Sequence, residues 1–195
     1  MNQVLVLQAD DALLVVDVQR DFLPGGSLAV PGGDAVVAPA NVSIGCFLEH
    51  RLPVFASRDW HPDEHCSFRA HGGPWPAHCV AGSPGAAFAP ALRLPAQTVI
   101  IDKATTRERD AYSAFGHTEL HARLRAGHVL RLIVCGLATD YCVRSTVLDA
   151  LALGYRVVVL RDAVAAVDRQ PGDGERALQQ MRDAGAVIAT SADLR

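Results

Sequence analysis

Hydrophobic positions along the chain fall into two alternating kinds of run. Short stretches rich in aliphatic and β-branched residues occupy 12–18, 53–57, 98–102, 130–135 and 156–160, with a last one near 186–190. Within them apolar residues are nearly continuous, the pattern of strands covered on both faces of a parallel sheet. Between them lie stretches of helical character at 33–50, roughly 118–126, 140–153 and 174–184. In the third of these Val143, Val147, Leu148 and Leu151 recur at helical spacing, and Gly154 supplies a C-terminal stop. Strands alternating with helices predict right-handed crossovers and a three-layer α/β fold. The stretch 59–95 breaks the rhythm. It is rich in Gly, Pro and His and has no periodicity, and a loop of that size in a compact domain is expected to serve a function.

The chain has 195 residues, read as one domain spanning 1–195 with ample length for a core. Half of the residues are hydrophobic and 20% are charged, as in ordinary globular proteins. A net charge of -3 gives no electrostatic reason to expect nucleic acid or an anionic membrane as partner. The opening MNQVLVLQADD has neither a basic start nor an apolar stretch of export-signal length, and no run approaches a membrane span. The five cysteines are scattered and odd in number, which reads as reduced thiols in a cytoplasmic protein.

Candidate chemistry collects where the strands end. In an open parallel sheet, ligands bind beyond the carboxyl ends of the strands. The first strand runs into Asp17, the second into Asp59, the third into Asp102-Lys103, and the fourth into the segment from Gly136 to Cys142 that opens a helix. A polar residue at one strand end is unremarked, because strands end at solvent. Two carboxylates, an amine and a thiol aimed at one edge are a different matter. With Thr139 or Asp140 as N-cap, Cys142 is expected in the first turn of its helix, where the dipole and free N–H groups favour a thiolate and could hold an oxyanion. Asp17 could take the thiol proton. Lys103 could keep that carboxylate ionised, or stabilise developing negative charge. Cys46 and Cys135 read as small buried hydrophobes.

The long loop carries a second constellation, Asp59-Trp-His61-Pro-Asp-Glu-His65 followed by Trp75-Pro-Ala-His78. An Asp and a His two residues apart project to one side of an extended segment, and His78 could complete the set, with His65 as a fourth candidate. Oxygen and imidazole donors suit one divalent ion, Zn, Mn or Fe, with zinc favoured. The other histidines (His50, His71, His117, His121 and His128) read as surface residues. Phe22, Trp60, Trp75 and Tyr112 fall in loops expected to overhang the same edge, where a flat aromatic substrate could stack.

Taken together, Asp17-Val-Gln-Arg-Asp-Phe22-Leu-Pro-Gly-Gly, Asp59-Trp-His61, Trp75-Pro-Ala-His78-Cys-Val, Lys103 and Gly136-Leu-Ala-Thr-Asp-Tyr-Cys142-Val-Arg resemble the nicotinamidase/pyrazinamidase group of the isochorismatase-like cysteine hydrolases. The matching fragments occur in order from about residue 12 to 167. The resemblance implies a doubly wound fold with a six-stranded, mainly parallel sheet. It implies an Asp17–Lys103–Cys142 triad, an oxyanion hole from the N–H groups of Ala138 and Cys142, and a cis peptide between Leu137 and Ala138. It further implies a metal on Asp59, His61 and His78, with His65 a ligand or a neighbour of the ligands. Phe22, Trp75 and Tyr112 match positions that line the group's ring pocket. The expected substrate is nicotinamide, and such enzymes range from monomers to homo-oligomers.

Two positions depart from the group's pattern. Arg20 stands where asparagine is common, and Ala104 follows the lysine where glycine is usual, so the backbone at 104 is expected to need no positive φ. Other readings fit less well. A sister amidase acting on a carbamoyl or ureido substrate generally lacks the Asp-x-His…His set. A vinyl-ether hydrolase of the isochorismatase type generally lacks the cysteine. A non-catalytic metal- or nicotinamide-binding module would not need the triad.

Overall fold

The alternating runs become six parallel strands in the computed structural model, which describes residues 4–195. Residues 1–3, which begin the segment read above for an export signal, lie outside the described residues. The strands are β1 (Asp11–Val16), β2 (Val54–Asp59), β3 (Val99–Lys103), β4 (Arg131–Leu137), β5 (Arg156–Ala165) and β6 (Val187–Ala189). The principal helices are α1 (Val37–Glu49), α2 (Leu120–Ala126), α3 (Arg144–Ala152) and α4 (Asp173–Asp183). Sheet order is β3-β2-β1-β4-β5-β6, with every neighbouring pair parallel. Winding therefore reverses between β1 and β4, and a crevice opens beyond their carboxyl ends.

The unbroken apolar runs have a plain cause. Successive side chains of a strand point to opposite faces, so a strand covered on both sides must be apolar throughout. Leu13 and Val15 of β1 join Ile44 and Phe47 of α1 in one core cluster. Leu14 and Val16 face the other way, into a cluster with Leu124 of α2, Val147 of α3 and Met181 of α4. All six residues of β1 are buried. Each fully buried aliphatic side chain there contributes about 1.5–3 kcal/mol, so a charge at Val15 would be expected to break the layer.

Away from the strand ends that carry the candidate chemistry, two elements differ from the sequence expectation. A 3-10 turn over Gly33–Val36 precedes the α-helix proper, which starts at Val37. Strand β5 continues to Ala165 although the apolar run ends at Leu160, since exposed Arg161 and Asp162 interrupt the hydrophobic pattern. The ladder shifts register there and resumes with Gly136 opposite Val164. The β2–β3 connection contains only isolated bridges and a short 3-10 turn over Arg69–His71, in keeping with its lack of periodicity. Among the described residues, no helix is long and apolar enough to cross a membrane.

Candidate active site and metal centre

Three strand ends deliver the polar residues to one place. Asp59 and Lys103 are register partners across β2 and β3, and Asp17 follows β1 directly. Asp17 takes φ +50, a left-handed conformation that a non-glycine residue rarely adopts. Its N–H donates to the Ser57 carbonyl at 3.1 Å, and the Ser57 hydroxyl donates to its Oδ1 at 2.7 Å. The carboxylate is completely buried.

Cys142 arrives from β4 by an unusual route. The peptide between Leu137 and Ala138 is cis, as the resemblance implied. Gly136 takes φ +118 against the β1 backbone, where a Cβ would lie 2.0 Å from the Val16 carbonyl oxygen. The next five residues, Thr139–Val143, form a π-helical turn before α3 begins at Arg144. This corrects the expected capping. The N-cap is Ala138, and neither Thr139 nor Asp140 caps the turn. Asp140 instead accepts the N–H groups of Val167 (2.9 Å) and Asp168 (3.0 Å), which ties the turn to the chain beyond β5. Cys142 therefore lies in a π turn rather than a first α turn. Such wide turns recur at functional sites.

Lys103 joins the groups. Its ammonium lies 3.0 Å from Asp17 Oδ2 and 3.5 Å from Cys142 Sγ, donates to the Ala111 carbonyl at 3.1 Å, and forms a short ion pair with Asp59 Oδ1. Burial works against the lysine's charge, but the Asp17 and Asp59 carboxylates outweigh it and hold its pKa well above the ordinary value. At Asp17 burial dominates, and with the nearby Asp59 charge it raises the carboxyl despite Lys103 and Ser57. The Cys142 thiol is likewise pushed up, first by burial and then by the two carboxylates, with Lys103 opposing. Burial also raises Asp59, yet Lys103 and His61 overcome it and hold that group below the usual carboxylate range.

Beside this cluster stand Asp59, His61 and His78, whose ligand atoms lie within 4.8 Å of one another. His61 Nδ1 is 3.1 Å from the Ala104 carbonyl and His78 Nδ1 is 2.8 Å from the Pro76 carbonyl. A carbonyl only accepts, so each Nδ1 is a donor, and Nε2 is the atom that each ring in its neutral form has left for a metal. His61 Nε2 is buried without a hydrogen-bond partner. Two oriented imidazoles and a carboxylate, with one orphaned buried nitrogen, fit a divalent ion. His65 lies outside this group. Its Nε2 faces the Arg109 carbonyl at 3.1 Å, its Nδ1 faces the Ser67 hydroxyl at 2.7 Å, and its ring stacks on His61 with centroids 4.1 Å apart.

Asp59, His78, Ala138 and Cys142 all border one small cavity of about 40 Å³, whose walls include Phe22, Trp75 and Tyr112. Trp75 Nε1 donates to the Tyr112 hydroxyl at 3.0 Å, and the Arg169 guanidinium lies 5.6 Å from the Trp75 ring. Trp60 does not belong there. It packs on the core under the Arg58 guanidinium, 3.7 Å from its ring. A larger groove of about 790 Å³ lies at the opposite, amino-terminal ends of β4 and β5, by Arg131 and Arg156, away from these groups.

A model of the isochorismatase domain matches residues 11–193. The chain belongs to the isochorismatase family. Among curated members, the nicotinamidase of Escherichia coli (strain K12) is 43% identical, over 93% of this chain and 95% of its own length. The crystal structure of a Pyrococcus horikoshii pyrazinamidase in complex with zinc superposes with a TM-score of 0.89 at 50% identity, covering 93% of this chain and 99% of that one. A structure of PnC1 from L. infantum in complex with nicotinate also gives 0.89, at 38% identity and 98% coverage of both chains. The six-stranded parallel sheet is the fold that these isochorismatase-family structures share.

Both departures noted in the sequence now have positions in this family fold. Arg20 is exposed and donates only its backbone N–H, to the Ala87 carbonyl at 2.9 Å. Ala104 does take a positive φ, +51, contrary to expectation. The conformation is retained because the Ala104 carbonyl must face His61, and the residue is buried. Several contributing residues carried no role in the sequence reading. Ser57 holds Asp17. Gln19 grips the Asp59 backbone, with Oε1 accepting its N–H at 2.8 Å and Nε2 donating to its carbonyl at 2.8 Å. A glutamine and a serine inside otherwise apolar, buried segments were the available signal.

Proposed function

We propose that this chain is a nicotinamidase. It hydrolyses nicotinamide to nicotinate and ammonia through a thioester on Cys142, and it accepts pyrazinamide by the same route. The observation that carries this reading is the shared cavity, where a buried thiol with carboxylate and ammonium partners meets the metal-ligand set. A pyridine carboxamide has matching ends, a ring nitrogen with a lone pair and an amide carbon. The activities of the relatives support the same substrate class.

Asp59, His61 and His78 would hold one divalent ion, proposed to be zinc, which when bound supplies a Lewis-acidic contact for the ring nitrogen. Phe22, Trp75 and Tyr112 flank the ring and exclude water. The Cys142 thiol gives its proton to Asp17 as sulfur bonds to the amide carbon. The N–H groups of Ala138 and Cys142 hold the oxyanion. Asp17 returns the proton to the leaving nitrogen, the C–N bond breaks, and ammonia departs from a thioester. Asp17 then deprotonates a water that attacks the same carbon. The C–S bond breaks, the thiol regains its proton, and nicotinate leaves. Lys103 stays charged throughout, fixing the Asp17 carboxylate beside the sulfur.

Ammonia release from nicotinamide by the purified protein tests the proposal, with Cys142→Ala as control. The variant is expected to lose at least about 10³-fold in kcat. Substantial turnover by Cys142→Ala, or none by a folded, zinc-loaded wild type, would overturn it.

A further inference from the structure

We propose that Asp21 is a positioning residue for the metal centre, acting through the peptide of Cys79, and that Gly85 has no side chain because that carboxylate fills its space. The inference rests on reading Asp59, His61 and His78 as metal ligands. Cys79 is the hinge between two of them. It follows His78 in the chain, and its carbonyl accepts the His61 N–H at 3.0 Å. It takes φ +47, a conformation that an L-residue holds only when its surroundings impose it. Its own N–H donates to Asp21 Oδ2 at 2.7 Å. Cys79 is fully buried, so without that acceptor the N–H would be stranded away from water.

Asp21 is held for the task from its other side. Its N–H donates to the Gly85 carbonyl at 3.0 Å, and its Oδ1 accepts the Ser27 N–H at 3.3 Å. A Cβ on Gly85 would lie 2.1 Å from Asp21 Oδ2. Two residues earlier, Gln19 donates to the Ala86 carbonyl at 3.0 Å while gripping the backbone of Asp59. The segment that follows Asp17 thus carries one side chain fixing the aspartate ligand and another fixing the peptide that joins the two histidines. Neither Asp21 nor Gln19 offers an atom to the metal-ligand group itself.

Zinc affinity of the full-length protein, measured by competition with a chromophoric chelator, tests this without reference to turnover. Asp21→Ala is expected to weaken zinc binding about 10–100-fold, the usual effect of removing an outer partner of a metal site. Asp21→Asn keeps a carbonyl acceptor for the Cys79 N–H and should recover most of the affinity. Gly85→Ala leaves Asp21 chemically intact but displaces its carboxylate, and should weaken binding in the same direction. Alkylation of Cys142 by iodoacetamide in zinc-free protein should proceed at the wild-type rate in all three. Zinc affinity in Asp21→Ala within about two-fold of wild type would overturn the proposal. So would a loss of affinity accompanied by equally accelerated Cys142 alkylation, which signals general unfolding. A wild type that binds no zinc would instead refute the metal-ligand reading beneath it.

Discussion

At the scale of single residues, the Asp17 carboxylate is the most informative group. Burial and the neighbouring Asp59 charge raise its pKa above the ordinary 3.8, while Lys103 and the Ser57 hydroxyl pull the other way. As the proposed base it must be ionised, so kcat/KM is expected to fall as pH drops through that raised value. Burial raises the Cys142 thiol well above 9.0, so in the proposed scheme it is the protonated form that meets the substrate in the neutral range. Ser57→Ala deletes a hydrogen bond to the ionised form and should move the acid limb of the kcat/KM profile to higher pH. A limb that stays in place or moves lower would show that the hydroxyl does not tune the base. Asp17→Asn should lower kcat about 10²–10⁴-fold at neutral pH, read from initial rates of ammonia release. The residue types for the proposed chemistry stand in the sequence, with Asp17 and Lys103 at the ends of apolar runs and Cys142 in the segment that follows one. Ser57, Gln19 and Asp21 carried no assigned role, since what they do depends on which strands and loops become neighbours.

The elements were largely written in hydrophobic periodicity, and the exceptions share one cause. The π turn over Thr139–Val143 is one residue wider per hydrogen bond than an α turn, and no apolar spacing encodes that. Asp140 resembled a cap in the sequence, yet its carboxylate serves the N–H groups of Val167 and Asp168, far along the chain. Strand β5 outruns its apolar stretch because backbone pairing resumes after the interruption. Gly136 is the tightest point in this region. Gly136→Ala would drive a methyl group into the Val16 carbonyl at a φ of +118, and is expected to cost more than about 3 kcal/mol. Soluble yield and thermal midpoint both check this. A variant that melts with the wild type would mean β1 and β4 can part without penalty.

At the scale of the whole molecule, the sheet order brings distant stretches of sequence to one crevice, and the β2–β3 connection lies over it. That connection has little regular structure, is held by isolated bridges and separate hydrogen bonds, and carries His61 and His78 of the candidate metal set. A divalent ion held by the proposed ligands at about 100-fold above its dissociation constant would add about 2.7 kcal/mol to stability. Chelation should therefore lower the thermal midpoint, and limited proteolysis should then cut first between residues 60 and 98. Unchanged melting and an unchanged cleavage pattern after chelation would remove the structural role of the ion. Convergence of the strand ends was readable from the sequence, but the sharing of Lys103 was not, because it depends on Asp59 and Lys103 being register partners. That sharing has a consequence for descent. One ammonium pairs with both the carboxylate of the proposed base and the carboxylate of the candidate metal set. A lineage drifting toward a metal-free amidase could not discard Asp59 as a separable accessory, since the loss would retune Asp17 at once. With those roles, substitutions at the two centres are expected to be epistatic, the coupling running through the Lys103 side chain.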